Sequence, residues 1–117
     1  TRTRDHSAVE LLVQQGLLKD ADVHTHPMRN FVEQCLGGEP EMPNISIAEP
    51  RQLMAGDVVL LCSDGFWAPL SETHVAEEMT TLNIEIQTNL DLLAAEAEEN
   101  ASPSSDNVTA VALRWME

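Results

Sequence analysis

Two aspartates in this chain stand where carboxylates could do chemistry. Asp64 lies in Leu-Leu-Cys-Ser-Asp-Gly-Phe-Trp, directly after an aliphatic run, and Gly65 beside it permits a tight turn and close approach to the backbone. Asp106 lies in Ser-Ser-Asp-Asn-Val-Thr-Ala-Val-Ala-Leu, just before a second apolar run. Carboxylates at strand ends can hold a hard divalent cation, because Mg²⁺ and Mn²⁺ take oxygen donors in preference to thiolate or imidazole. Each aspartate also has a plainer reading. Ser-Asp-Gly and Asp-Asn are ordinary turn sequences, in which the side chain satisfies nearby backbone amides. Taken singly, both residues fit that description.

Other candidates for chemistry are weaker. Ser63 has no histidine arranged as a triad partner, and the G-x-S-x-G elbow is absent. Cys35 and Cys62 lie far apart with no C-x-x-C spacing; Cys62, inside an apolar run, reads as a small buried hydrophobe. Such cysteine usage suits a reducing cytoplasm, with a disulfide between the two left open. His6, His24, His26 and His74 have no ligand spacing beyond His24-x-His26 and read as locally hydrogen-bonded or solvated residues. Trp67 and Trp115 read as packing residues.

The elements that must position these residues follow from the periodicity. Ser7 and Glu10 have capping-box spacing, Val9, Leu12 and Val13 share a helical face, and Gly16 suits the left-handed position after the helix. A short helical stretch is expected over 19–24 and one or two helical turns over 30–36, ended by Gly37-Gly38. Residues 39–43, with two prolines and two glutamates, read as a surface loop. Ile45 and Ile47 alternate with polar residues as a short half-buried strand would. A turn at Ala55-Gly56-Asp57 leads into Val58–Cys62, whose unbroken apolar run predicts a strand buried on both faces. A helix begins at Ser71, another carries Leu90, Leu93, Ala94 and Ala97 to about Asn100, and 101–105 is a polar loop. A last strand spans 108–115, apolar on both faces. Three strands cannot both cover these helices and bury two faces of the Val58–Cys62 run, so further chain should pack there.

Composition bounds the possibilities. At 117 residues and 43% apolar the chain fits one small globular domain, and with 3% aromatics its core must be aliphatic. Twenty acidic against six basic residues give a net charge of −14, which disfavours binding to nucleic acid or anionic membranes. Most of those carboxylates are a solvated surface; a few could converge on a cation. No signal peptide or membrane-length apolar stretch occurs, so a soluble, cytoplasmic chain is expected. It opens on Thr1 and not on Met, as an excerpt or processed piece would.

The motifs in combination are more specific than any one of them. A strand exiting into Ser63-Asp64-Gly65-Phe66, a helix opening at Leu70-Ser71, and a later helix leading to Asp106-Asn107-Val108-Thr109 and a final strand resemble the C-terminal half of the type 2C, or PPM, family of metal-dependent serine/threonine protein phosphatases. Upstream, Thr-Arg-Asp-His-Ser-Ala-Val-Glu-Leu-Leu at 3–12, His-Pro-Met-Arg-Asn at 26–30 and Leu36-Gly37 resemble the bacterial members. The resemblance spans the whole of 1–117 as the C-terminal portion of a single phosphatase domain. It implies an α+β fold, part of a four-layer αββα sandwich with antiparallel sheets. It also implies hydrolysis of phosphoserine and phosphothreonine by a water activated between two Mg²⁺ or Mn²⁺ ions, with no residue of this chain as nucleophile. Asp64 and Asp106 resemble the family's metal-ligating aspartates. Asn107 would then be structural, and Asp5 matches a weaker third-metal position or is an N-capping residue. Arg29 falls in a segment resembling a flap near the site, as a phosphoprotein contact or a plain surface residue.

The same resemblance says what is missing. The family draws its remaining ligands and a phosphate-gripping arginine from an N-terminal half, and the sole Asp-Gly pair here is Asp64-Gly65. Two carboxylates alone hold Mg²⁺ loosely. The chain by itself is therefore expected to be inactive, to expose apolar sheet surface, and to need its missing half, a partner chain or a swapped dimer. The alternative is a phosphatase-like binding or regulatory module without catalysis.

Overall fold

A computed structural model describes residues 1–29, 31–37, 43, 45–104 and 106–116, with the side chains at 20, 21 and 24 outside that description. The chain forms two compact units, Thr1–Pro50 and Arg51–Glu117.

In the first unit, helix α1 spans Ala8–Gln14. Ser7 caps it through its hydroxyl, which accepts from the Glu10 amide at 3.4 Å. At the far end Gly16 adopts φ 71°, its amide donating to Val13 O and that of Leu17 to Leu12 O. These paired bonds satisfy carbonyls that the helix leaves open. The expected 19–24 stretch is a 3₁₀ helix at Asp20–Thr25. The turns expected over 30–36 do not form among the described residues. Val32 instead makes an isolated antiparallel bridge with Ser7, flanked by Ala8 N–H to Phe31 O and Glu33 N–H to His6 O. Long-range backbone pairing has replaced local helical bonds there. Ile45 and Ile47 form no strand either; they are 70% and 91% exposed, and an alternating pattern without a pairing partner holds no ladder. Of the loop over 39–43, Pro43 alone lies within the described residues.

Glu10 is an exception to the rule that carboxylates stay wet. It is 2% exposed, paired with Arg4 at close range and with Arg2 at 3.6 Å. Two guanidinium groups offset the cost of removing one carboxylate from water.

The second unit positions the aspartates. Strand β1, Val58–Cys62, pairs antiparallel with β2, Ala110–Arg114, in a register that sets Val58 opposite Arg114 and Cys62 opposite Ala110. Between them run α2, Asp64–Trp67, α3, Glu72–Thr80, and α4, Ile86–Ala101. Ser71 caps α3 by accepting from the His74 amide. The C-terminal carbonyls of α3 are met from other elements: Asn89 donates to Glu78 O, and Arg114 donates to Met79 O and Thr81 O. A cation there also suits the negative end of the helix.

The core consists of Phe66, Leu70, Met79, Leu90, Leu93 and Ala97, with Val58, Leu60, Cys62, Ala110 and Ala112 packed on it from the sheet. Burying a side chain such as Phe66 contributes about 1.5–3 kcal/mol. One face of the two-stranded sheet is thus covered. The other is open: Val59 and Leu61 face their pairing partners Leu113 and Val111 at 39%, 68%, 55% and 62% exposure. The expectation that β1 is buried on both faces is not met among the described residues, where helices cover one side. Trp67 packs on the core as expected, whereas Trp115 is 42% exposed and not fully packed.

Candidate active site at the paired strand ends

Antiparallel pairing places the end of β1 beside the start of β2, so the segments carrying Asp64 and Asp106 leave the sheet at the same end. Three features fasten them there. The Ser63 amide donates to Thr109 O at 2.9 Å, extending the ladder one residue past β1. The Ser63 hydroxyl accepts from the Thr109 amide at 3.1 Å and donates to Asn107 O at 2.9 Å. Gly65 packs directly on the backbone of Asp106 and Asn107: a Cβ at this position would lie 2.5 Å from Asn107 O and 3.2 Å from the Asp106 carbonyl carbon. Glycine is required at this contact because any side chain would occupy the same space as the neighbouring backbone.

The two carboxylates have matching local settings. Asp64 opens α2, directly after the extended Ser63, and its Oδ1 accepts from the Gly65 amide at 3.0 Å. The Asp106 Oδ1 accepts from the Asn107 amide at 2.7 Å. Both residues are exposed. Exposed carboxylates on adjoining backbone are suited to a cation with water still in its shell. No group of three or more His, Cys, Asp or Glu able to hold a metal occurs among the described residues.

The other sequence candidates have settings of their own. Asp5 and Arg29 belong to the first unit and are exposed; the capping of α1 falls to Ser7. The histidines with described side chains are locally hydrogen-bonded: His6 with Ser46 at 3.4 Å, His26 accepting from the Met28 amide, and His74 with Glu96 at 2.8 Å. The hydrogen bond to Glu96, with added attraction from Glu78 and Glu77, raises the His74 pKa above its ordinary 6.5. Cys62 packs against the core, as a small hydrophobe does. A shallow groove of about 160 Å³ lined by Ile86, Gln87, Leu90, Ala110, Val111 and Ala112 includes neither aspartate.

In the sequence the Ser63 hydroxyl reads only as a nucleophile without a partner, and Gly65 as a glycine that permits a tight turn. Both residues instead join the two aspartate segments. The available signal was their position: a hydroxyl and a glycine flanking an acid at a strand end.

The chain as a whole is similar to known proteins. No family model matches the chain. It is 31% identical over 107 residues to the serine/threonine phosphatase stp of Listeria monocytogenes, covering 92% of this chain and 40% of that protein. To the serine/threonine protein phosphatase PstP of Mycobacterium tuberculosis it is 35% identical over 77 residues, 66% of this chain and 14% of that protein. The crystal structure of the M. tuberculosis phosphatase PstP/Ppp aligns with a TM-score of 0.74 at 31% identity, over 98% of this chain and 46% of the other. A serine/threonine phosphatase of S. agalactiae aligns at 0.75 and 26% identity, over 99% and 46%. The chain spans less than half the length of each of these relatives. The α+β class read from the sequence agrees with these folds.

Proposed function

Since this chain belongs to the type 2C family of bacterial serine/threonine phosphatases, we propose that it is part of an enzyme that hydrolyses phosphoserine and phosphothreonine in proteins, with Asp64 and Asp106 as two of its metal ligands. The observation that carries this reading is the contact of Gly65 with the backbone of Asp106 and Asn107, which sets the two aspartate segments side by side. Ordinary turn aspartates have no need of such an approach between segments more than forty residues apart.

The donor set, two carboxylates, fits Mg²⁺ or Mn²⁺, two ions per complete site, because these hard ions take oxygen donors in preference to thiolate or imidazole. Bound there, such ions supply charge to phosphate oxygens and lower the pKa of a water. The part of this chain is to present two carboxylates on a braced backbone. The remaining ligands come from the rest of the protein, of which 1–117 is the C-terminal portion of one phosphatase domain.

The open sheet face supports the same view. Val59, Leu61, Val111 and Leu113 form a contiguous apolar patch that a complete domain, or a second chain, would cover. No described helix is long and apolar enough to cross a membrane, and a cytoplasmic setting with phosphoprotein partners belongs to this reading. A non-catalytic phosphatase-like module is the second reading, favoured by the absence of a third ligand among the described residues.

Manganese-dependent turnover of a phosphothreonine peptide by the complete gene product separates the two. The enzyme reading expects turnover that falls by at least a hundredfold in Asp64→Asn and in Asp106→Asn. A complete protein without turnover leaves the binding module standing.

A further inference from the structure

We propose that Ser63 is a positioning residue, whose hydroxyl holds the Asp106 segment at the distance from Asp64 that a shared cation requires. This rests on the metal-ligand reading above and extends it to a residue that touches no substrate.

The geometry is specific. A serine hydroxyl has one proton to donate and lone pairs to accept with. Here the proton goes to Asn107 O at 2.9 Å, and a lone pair receives the Thr109 amide at 3.1 Å. One side chain on the Asp64 segment therefore spans both sides of Val108, just past Asp106. Asn107 O is also the atom closest to the Cβ position of Gly65. Ser63 and Gly65 thus act on a single carbonyl: the hydroxyl draws it in, and the missing side chain lets it come. Without the hydroxyl, the Asn107 carbonyl and Thr109 amide can turn to water, since both residues are exposed. The fold then survives while the spacing of the carboxylates loosens. Partners that orient metal ligands without touching the metal commonly change affinity by 10–100-fold when removed.

The test is a Mn²⁺ titration of the complete gene product, read by the paramagnetic signal of unbound Mn²⁺, alongside thermal melting in EDTA. Ser63→Ala is expected to weaken Mn²⁺ binding roughly tenfold, the lower end of that range, with a melting temperature in EDTA close to that of the parent. Ser63→Thr, which restores a hydroxyl, recovers the affinity. Asp64→Asn provides the reference. If it leaves Mn²⁺ binding unchanged, the metal reading itself falls, and the role of Ser63 with it. If it abolishes binding while Ser63→Ala binds like the parent, the positioning role alone is overturned. A Ser63→Ala protein that loses affinity and melts much lower, without recovery in Ser63→Thr, also overturns it, because Ser63 would then be holding the fold and not the site.

Discussion

Replacing Gly65 by alanine puts a methyl group 2.5 Å from the Asn107 carbonyl oxygen, where ordinary contact begins at 3.4 Å. The obstacle is backbone, so no side chain can swing aside. Either the 63–65 turn or the Asn107 carbonyl must move by the difference, about 0.9 Å. Forced overpacking of this sort costs about 1–3 kcal/mol. Alanine regains up to about 1 kcal/mol of helix propensity in α2. A net loss of about 1 kcal/mol corresponds to about 2–4 °C in the melting temperature of a protein of 150–250 residues. The same displacement pulls Asn107 O off the Ser63 hydroxyl, so Mn²⁺ affinity should fall as well. Calorimetry of the complete protein in EDTA, followed by Mn²⁺ titration, measures both quantities. A Gly65→Ala protein that melts at or above the parent temperature and binds Mn²⁺ equally well would refute the claim that this contact braces the site.

Two further outcomes follow from other parts of the second unit. The His74–Glu96 hydrogen bond raises the His74 pKa, so its stabilisation is complete below the unfolded value of 6.5 and disappears as pH rises through the higher folded value. The melting-temperature difference between parent and His74→Gln should therefore be largest at about pH 5–6, where His74 is charged, and vanish in alkali; a pH-independent difference contradicts the assignment. Leu61→Ala should cost about 2–5 kcal/mol in the complete protein if the rest of the domain covers the open sheet face, measured by denaturant titration. A change within about 0.5 kcal/mol would mean that Leu61 stays in solvent there as it does here.

What was legible in the sequence divides along the reach of the interactions. The Ser7 cap, the left-handed Gly16 and the Ser71 cap are set within one helical turn, and each forms where its residue types predict. The face of Leu90, Leu93 and Ala97 was equally plain, because helical period and burial coincide. The segment over 30–36 failed because Val32 finds a backbone partner at Ser7, which no local pattern encodes. The run Val58–Cys62 is a strand, as its residues predict, but its second apolar face stays exposed among the described residues, and a local pattern does not encode what lies against a face. At the site, the two aspartates stood out only in combination. Their bracing by Ser63 and Gly65 depends on contacts across more than forty residues, which no local pattern encodes.

The central claim is that Asp64 and Asp106 act together on one metal-dependent reaction. A double-mutant cycle on Mn²⁺-dependent phosphopeptide hydrolysis by the complete protein tests it most directly. Groups that serve one unit are strongly non-additive: once either is lost, loss of the second changes little. Asp64→Asn and Asp106→Asn should each reduce turnover at least a hundredfold, with the double variant no more than a few-fold below the weaker single one. Turnover equal to the parent in either single variant, or losses that multiply in the double, would contradict a shared site.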